Sequence, residues 1–303
     1  MTFLEALGTN LDNIKTICDN ITDYYLSYPI RKSNGKLRWI DAPLDELKDI
    51  QKRILFKLLY KFSPHPAAVG FIAGIGVKDG VKRHFGNRVL LCADISNFFG
   101  SIRTNEVYRL MHHLLRTLLD REWIDLGSLS FGEAREILVT LTTYKGHLPQ
   151  GTPTSPALAN LFSINMDHRL QELADLHGLI YTRYADDITF SCENKTYNIG
   201  QLIPQISDIV REFKLTLNKD KTRVMRPHKR MTITGVVVND KLGIPKYKRR
   251  NFRAKLHNLI RDDVAINEKE LQQLRGYAEW IRNLNEGQGN FFLQKIGRLR
   301  LRT

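Results

Sequence analysis

Apolar positions along the chain alternate between helical and extended periods. Residues 2–18 place Leu4, Leu7, Leu11 and Ile14 on one helical face. Residues 30–43 predict a hairpin turning at Asn34-Gly35, because Asn-Gly suits the two-residue turn that follows strand twist. Lys32, Lys36 and Arg38 would project from it. Helical period returns over 44–62 through Leu47, Ile50, Ile54, Leu58 and Phe62. The Gly- and Pro-rich stretch 63–86 reads as loop. A strand over 88–95 leads to helices over 103–120 and 133–143. The loop 148–156 ends in Ser155-Pro156, a suitable N-cap and first helical residue for a helix running to 176. Two apolar segments over 180–192 flank Asp186-Asp187, which reads as a hairpin with an exposed acidic turn. A helix over 200–214 and strands over 222–226, 231–238 and 242–245 follow. Two amphipathic helices complete the pattern, one through Phe252, Leu256, Leu259 and Ile260, the other through Leu271, Leu274, Ala278, Ile281 and Leu284.

With 303 residues, 42% of them hydrophobic, the chain can build a sizeable core with more than one subdomain. Charge narrows its partners. Lys and Arg number 46 against 32 Asp and Glu, a net +14, and residues 243–303 alone hold 14 against 6. A polyanion explains this bias better than a small metabolite does. No run of eighteen apolar residues and no signal-peptide pattern is present, so no membrane partner and a cytoplasmic location are expected. Cys18, Cys92 and Cys192 are isolated, without zinc spacing or a disulfide framework, and read as core thiols. His65, His112, His113 and His147 form no metal pattern.

Three carboxylates carry the candidate chemistry. Asp94 ends the 88–95 strand, and Asp186 and Asp187 sit in the 180–192 hairpin. If strand and hairpin are neighbours, they form a hard-oxygen site for divalent cations. Nucleotide polymerisation needs two such ions, roughly 3.5–4 Å apart, one acting on the attacking hydroxyl and one on the leaving phosphates. Asp186 would be a direct ligand, Asp94 would bridge both ions, and Asp187 would chiefly support the site electrostatically. Lys36 and Arg38 are either donors that meet a triphosphate or plain surface charges. Phe99 is either a ring that closes the space of a ribose 2′-hydroxyl or a core aromatic beside Phe98, and Gln150-Gly151 could approach the nascent base pair. The basic end of the Gly-rich stretch, Lys78, Lys82, Arg83 and His84, would face phosphate. Lys246, Lys248, Arg249, Arg250, Arg253 and Lys255 would line a nucleic-acid backbone.

Five strings occur in order with sensible gaps: CADISNFF (92–99), LPQGTPTSPALANL (148–161), YTRYADDITFS (181–191), LTLNKDKT (215–222) and ITGVVV (233–238). In these the chain resembles reverse transcriptases over 30–240, and among them the bacterial retron and group II intron enzymes. The short N-terminus, the basic end and Ile233-Thr234-Gly235 are most similar to retron enzymes, whose element there reads Val-Thr-Gly. Of a second retron element, Asn-Ala-x-x-His, only His84 survives in Gly80-Val81-Lys82-Arg83-His84. The family's fourth acidic position is Asn97 here.

The resemblance implies an α+β right-hand polymerase fold without an RNase H domain. N-terminal helix and fingers would occupy 1–90, the first part of the palm 91–129, a fingers/palm junction 130–155, the palm 156–242 and a basic helical thumb 243–303. It implies Mg2+, with Mn2+ as substitute, at Asp94, Asp186 and Asp187. It implies dNTP contacts at Lys36, Arg38, Phe99, Gln150, Gly151 and Lys221, with Asn218 supporting them. It implies copying of a structured noncoding RNA, primed from an internal guanosine 2′-hydroxyl to branched RNA–DNA, in antiphage defence beside a separate effector protein. Two alternatives remain open: another bacterial reverse transcriptase, defence-associated or group II intron-like, and a noncatalytic RNA-binding scaffold of a toxin–antitoxin complex.

Overall fold

The computed structural model describes residues 1–31 and 35–301. The single N-terminal helix suggested by periodicity is two, α1 (Phe3–Leu7) and α2 (Leu11–Asp19). Gly8 parts them at φ 67°, a left-handed conformation that costs glycine no Cβ strain. The Asn10 side chain then caps α2 on the Asn13 N–H. β1 (Tyr25–Arg31) and β2 (Leu37–Pro43) form the expected hairpin, beginning earlier in the chain. Lys32 and Asn34 of its expected turn lie outside the described residues. α3 (Asp45–Arg53) continues through a wide turn at Ile54–Leu58 and a tight one at Leu59–Lys61, which accounts for the helical period over 44–62.

α4 (Val77–Arg83) is a helix inside the stretch read as loop, and β3 (Val89–Asp94) follows it. After α5 (Phe98–Ser101), α6 (Thr104–Asp120) and α7 (Phe131–Thr142) come α8 (Ser155–Phe162) and α9 (Ile164–Leu176). These last two divide the one helix expected over 155–176. The break falls at Ser163, whose hydroxyl donates to the Ala159 carbonyl at 2.8 Å, a back-bond that bends helices. Thr154, not Ser155, takes the N-cap position of α8.

β4 (Ile180–Tyr184) and β5 (Asp187–Cys192) form the second hairpin, followed by α10 (Ile203–Glu212) and β6 (Arg223–Met225). The strand expected over 231–238 folds back on itself as β7 (Thr232–Ile233) and β8 (Val236–Val237). No strand forms over 242–245; Gly243 makes only an isolated bridge to Val237. The basic end holds three helices rather than two: α11 (Lys246–Arg261), α12 (Glu268–Leu284) and α13 (Glu286–Ile296).

The architecture is α+β. Its centre is an antiparallel sheet in the order β4-β5-β3-β6. Strand alternation gives the sheet two faces. Val89, Leu91 and Ala93 of β3 with Ile188 and Phe190 of β5 enter the main core, which reaches back to α1 and α2. Leu90 of β3 turns the other way, into a second cluster with Met231, Ile233, Val236 and the C-terminal helices. Asp94 and Asp187 lie on that second face. Among the described residues no helix is long and apolar enough to cross a membrane.

Candidate active site

Sheet register brings the three carboxylates together. Asp94 is directly opposite Asp187 across the β3–β5 pair. Tyr184 pairs with Asp187 across the β4–β5 pair, so Ala185 and Asp186 alone form the turn. Ala185 takes φ 53°, a left-handed conformation costing a non-glycine residue about 1–2 kcal/mol. The Asp186 carbonyl accepts from the Ile95 N–H at 2.9 Å, which ties the turn to the end of β3. The turn is not exposed: Ala185 is buried and Asp186 half-buried.

Asp94, Asp186 and Asp187 line a cleft of about 310 Å³ with Arg38, Cys92, Ala93, Lys221 and Arg223. Lys221 Nζ donates to Asp94 Oδ2 at 2.6 Å. The loop presenting Lys221 is built by Asn218: its N–H donates to the Asp94 carbonyl at 2.7 Å and its side chain accepts the Asp220 N–H at 3.1 Å. Burial, then the neighbouring Asp186 and Asp94, pushes the Asp187 carboxyl up to about 6. Burial and Asp94 also raise Asp186, while Lys221 and Arg38 pull it down. Partly desolvated carboxylates that repel one another call for a cation, and their oxygens suit a hard divalent one. Among the described residues, no three His, Cys, Asp or Glu side chains already converge as a finished metal cage. Lys221 supplies positive charge beside Asp94.

Arg38 thus meets the carboxylates, reaching them from β2. Lys36 lies exposed near the start of β2. Gln150 and Gly151 dock on β2, the Gln150 carbonyl accepting the Asp41 N–H at 2.8 Å. Gly151 has φ 123°, and a Cβ there would come within 2.8 Å of Ile40 Cγ2, so only glycine permits this approach. Phe99 is half-buried on the main core beside Phe98, with ring centres 5.6 Å apart. Phe99, Lys36, Gln150 and Gly151 are not among the residues lining the carboxylate cleft. On α11, Lys246, Lys248, Arg250, Arg253 and Lys255 are exposed and Arg249 is half-buried. Arg253 and Lys295 both lie 5.3 Å from the Phe291 ring.

His84 corrects the expectation of a phosphate contact. Its side chain is fully buried. Nδ1 lies 2.6 Å from Ser191 Oγ and Nε2 2.7 Å from Thr182 Oγ1, so both ring nitrogens are engaged. Asn87 Nδ2 also donates to Ser191 Oγ at 2.6 Å. Burial holds the ring neutral, its pKa lowered to about 3. His84 therefore pins the end of α4 to the β4–β5 hairpin and offers nothing to a phosphate.

Sequence reasoning passed over the opposite face of that hairpin. Arg183 and Asp167 are both completely buried and form an ion pair at 2.6 Å. Arg183 Nε and Nη2 grip the two carboxylate oxygens of Asp167, and Tyr181 donates to Asp167 Oδ1 at 2.7 Å. Arg183 Nη1 donates to Asn160 Oδ1 at 3.1 Å and to the Ala185 carbonyl at 3.0 Å. A signal existed: alternation puts Arg183 on the core face with Tyr181, and a buried guanidinium requires a carboxylate.

The family model for reverse transcriptase (RNA-dependent DNA polymerase) matches residues 30–238, which include every element of this cleft. The chain belongs to the reverse transcriptase family. Its similarities lie with retron enzymes. It is 33% identical to the retron Mx65 reverse transcriptase of Myxococcus xanthus over 278 residues, 85% of this chain and 61% of that protein. Against the retron Mx162 reverse transcriptase of the same organism identity is 32%, covering 97% of this chain and 66% of that protein. Against the retron Ec86 reverse transcriptase of Escherichia coli it is 30%, covering 97% and 87%. The chain thus spans about three fifths of the Mx65 enzyme, about two thirds of the Mx162 enzyme and most of the Ec86 enzyme.

Proposed function

We propose that the chain is an RNA-directed DNA polymerase of retron type, with Asp94, Asp186 and Asp187 as its catalytic carboxylates. The observation that carries this reading is their meeting in one basic-rimmed cleft from strands far apart in sequence, inside the segment matched by the family. The hand-like division follows the same reading: fingers over 1–90 with a junction at 130–155, palm over 91–129 and 156–242, thumb over 243–303.

The carboxylates would hold two Mg2+ ions, replaceable by Mn2+, which when bound acidify the primer hydroxyl and brace the leaving phosphates. Asp94 and Asp186 supply ligand oxygens, and Asp187 adds negative charge behind them. Lys221 must release Asp94 to meet the triphosphate, and its exposed stem gives it that freedom. Arg38 and Lys36 approach the same phosphates from β2. Gln150 and Gly151 bring backbone and amide groups to the nascent pair, and Phe99 screens the sugar for a missing 2′-hydroxyl. The exposed cations of α11 track the RNA or RNA–DNA duplex through its phosphates, as suits an A-like helix.

The similarity to retron enzymes supports a structured noncoding RNA as template and primer, a branched RNA–DNA product started from a guanosine 2′-hydroxyl, and a cytoplasmic role in antiphage defence with a separate effector. Sequencing the nucleic acid that copurifies with wild type and with Asp186→Ala/Asp187→Ala tests this. One small RNA joined to one defined DNA in wild type, and RNA alone in the variant, is expected. The same RNA without DNA in both would favour a noncatalytic scaffold.

A further inference from the structure

We propose that Arg183 is a positioning residue for nucleotidyl transfer, holding the Ala185-Asp186 turn in its reactive geometry through the Ala185 carbonyl. The inference rests on the polymerase reading for its kinetic consequence but not for its structural one.

The turn has two residues and two backbone carbonyls, and each is held. Ile95 N–H donates to Asp186 O at 2.9 Å, and Arg183 Nη1 donates to Ala185 O at 3.0 Å. Ala185 stands in the left-handed region at φ 53°, so the turn does not keep this shape by backbone preference. The guanidinium is itself immobile. Two of its nitrogens fork onto Asp167 of α9, and its third bridges Asn160 of α8 and the turn. Asn160 Nδ2 continues the chain by donating to the Gly70 carbonyl at 2.8 Å. The Arg183 backbone is clamped as well, its N–H on Ala67 O and its carbonyl under Val69 N–H, both at 2.8 Å.

Stability alone does not call for such a pair. Well-packed apolar residues of similar volume often replace a buried ion pair without loss. What apolar residues cannot do is reach the Ala185 carbonyl, and Asp186 is the next residue. A displacement of about 1 Å at a reacting group can cost on the order of a hundredfold in rate. Arg183 therefore acts through the turn and touches no substrate.

The test is the apolar replacement Tyr181→Phe/Asp167→Leu/Arg183→Met, which removes the whole charged network at once. Expected are a urea midpoint at or above wild type, roughly tenfold faster exchange of the Asp186 amide and roughly tenfold weaker Mn2+ binding by electron paramagnetic resonance. On poly(rA)/oligo(dT), kcat should fall roughly a hundredfold while KM for dTTP stays within about threefold, since triphosphate contacts are untouched. Wild-type values of kcat, Mn2+ affinity and amide exchange in the refolded-stable variant would overturn the proposal and leave the network a folding device. Should the triple variant fail to fold, Arg183→Lys decides. It keeps the charge on Asp167 but cannot also reach Ala185, so the same losses are expected, and wild-type behaviour overturns the proposal. If wild type itself makes no DNA, the polymerase reading fails, while amide exchange and Mn2+ binding still decide whether Arg183 sets the turn.

Discussion

Acidification should weaken the fold through His84, by an amount the structure sets. The ring is fully buried between Thr182 and Ser191, on the face of the β4–β5 hairpin that also carries Asp187, and its pKa drops from an ordinary 6.5 to about 3. The unfolded chain therefore binds a proton that the folded chain refuses. Stability from the neutral ring is complete above the unfolded value and is lost as pH falls from 6.5 toward 3. Between about pH 7.5 and about pH 5 the loss is about 2 kcal/mol, from roughly 1.4 kcal/mol per pH unit below the unfolded pKa. The result does not depend on the folded value, provided it lies well below 5. Other groups also titrate in this window, so the informative quantity is the difference between wild type and His84→Gln. Urea unfolding of both at the two pH values measures it. His84→Gln should be less stable at the higher pH, by about 1–3 kcal/mol for the disturbed buried hydrogen bonds, but should lack the extra acid sensitivity. Its affinity for RNA should be unchanged once folded. Equal pH dependence in the two proteins would refute the buried-neutral assignment, and a large selective loss of RNA affinity would restore the phosphate contact.

Lys221→Met removes a charge-assisted contact from the cleft and should lower kcat/KM for dNTP roughly 10- to 100-fold in single-turnover extension, with unfolding unchanged. A wild-type value would show that the Asp94 ion pair is incidental. Phe99→Ala should relax discrimination between dNTP and rNTP; if the ratio of their kcat/KM values stays put, the ring is a core aromatic and no gate. Replacing Lys246, Lys248, Arg250 and Arg253 together by Gln should lessen the slope of log K against log salt by about 3.6, whatever the sequence of the duplex. An unchanged slope would place the duplex elsewhere.

Much of this site was legible because its elements are local. The alternation around Asp186 and Asp187 forces a two-residue turn, and β3 is a plain apolar run ending in Asp94. The meeting of Asp94 with Asp187 depends on a long-range register that no local pattern encodes. Helix breaks at Gly8 and Ser163 were hidden because apolar spacing continues across them. His84 misled because it ends a basic run, Lys82-Arg83-His84, while the chain leaving α4 turns its ring inward beneath the exposed cations. The missed clue lay on its partners: Thr182 and Ser191 are hydroxyls at buried strand positions and require a polar neighbour. Asp167 hid in the same way, a carboxylate on the stripe of α9 that also buries Met166 and Leu170.

Templated DNA synthesis by the three clustered aspartates is tested most directly by primer extension. Wild type and Asp186→Asn should be given an RNA template, a DNA primer, Mg2+ and labelled dNTPs. Template-length DNA is expected from wild type and a loss on the order of a thousandfold or more from the variant. Extension by Asp186→Asn at the wild-type rate would contradict that role of the aspartates.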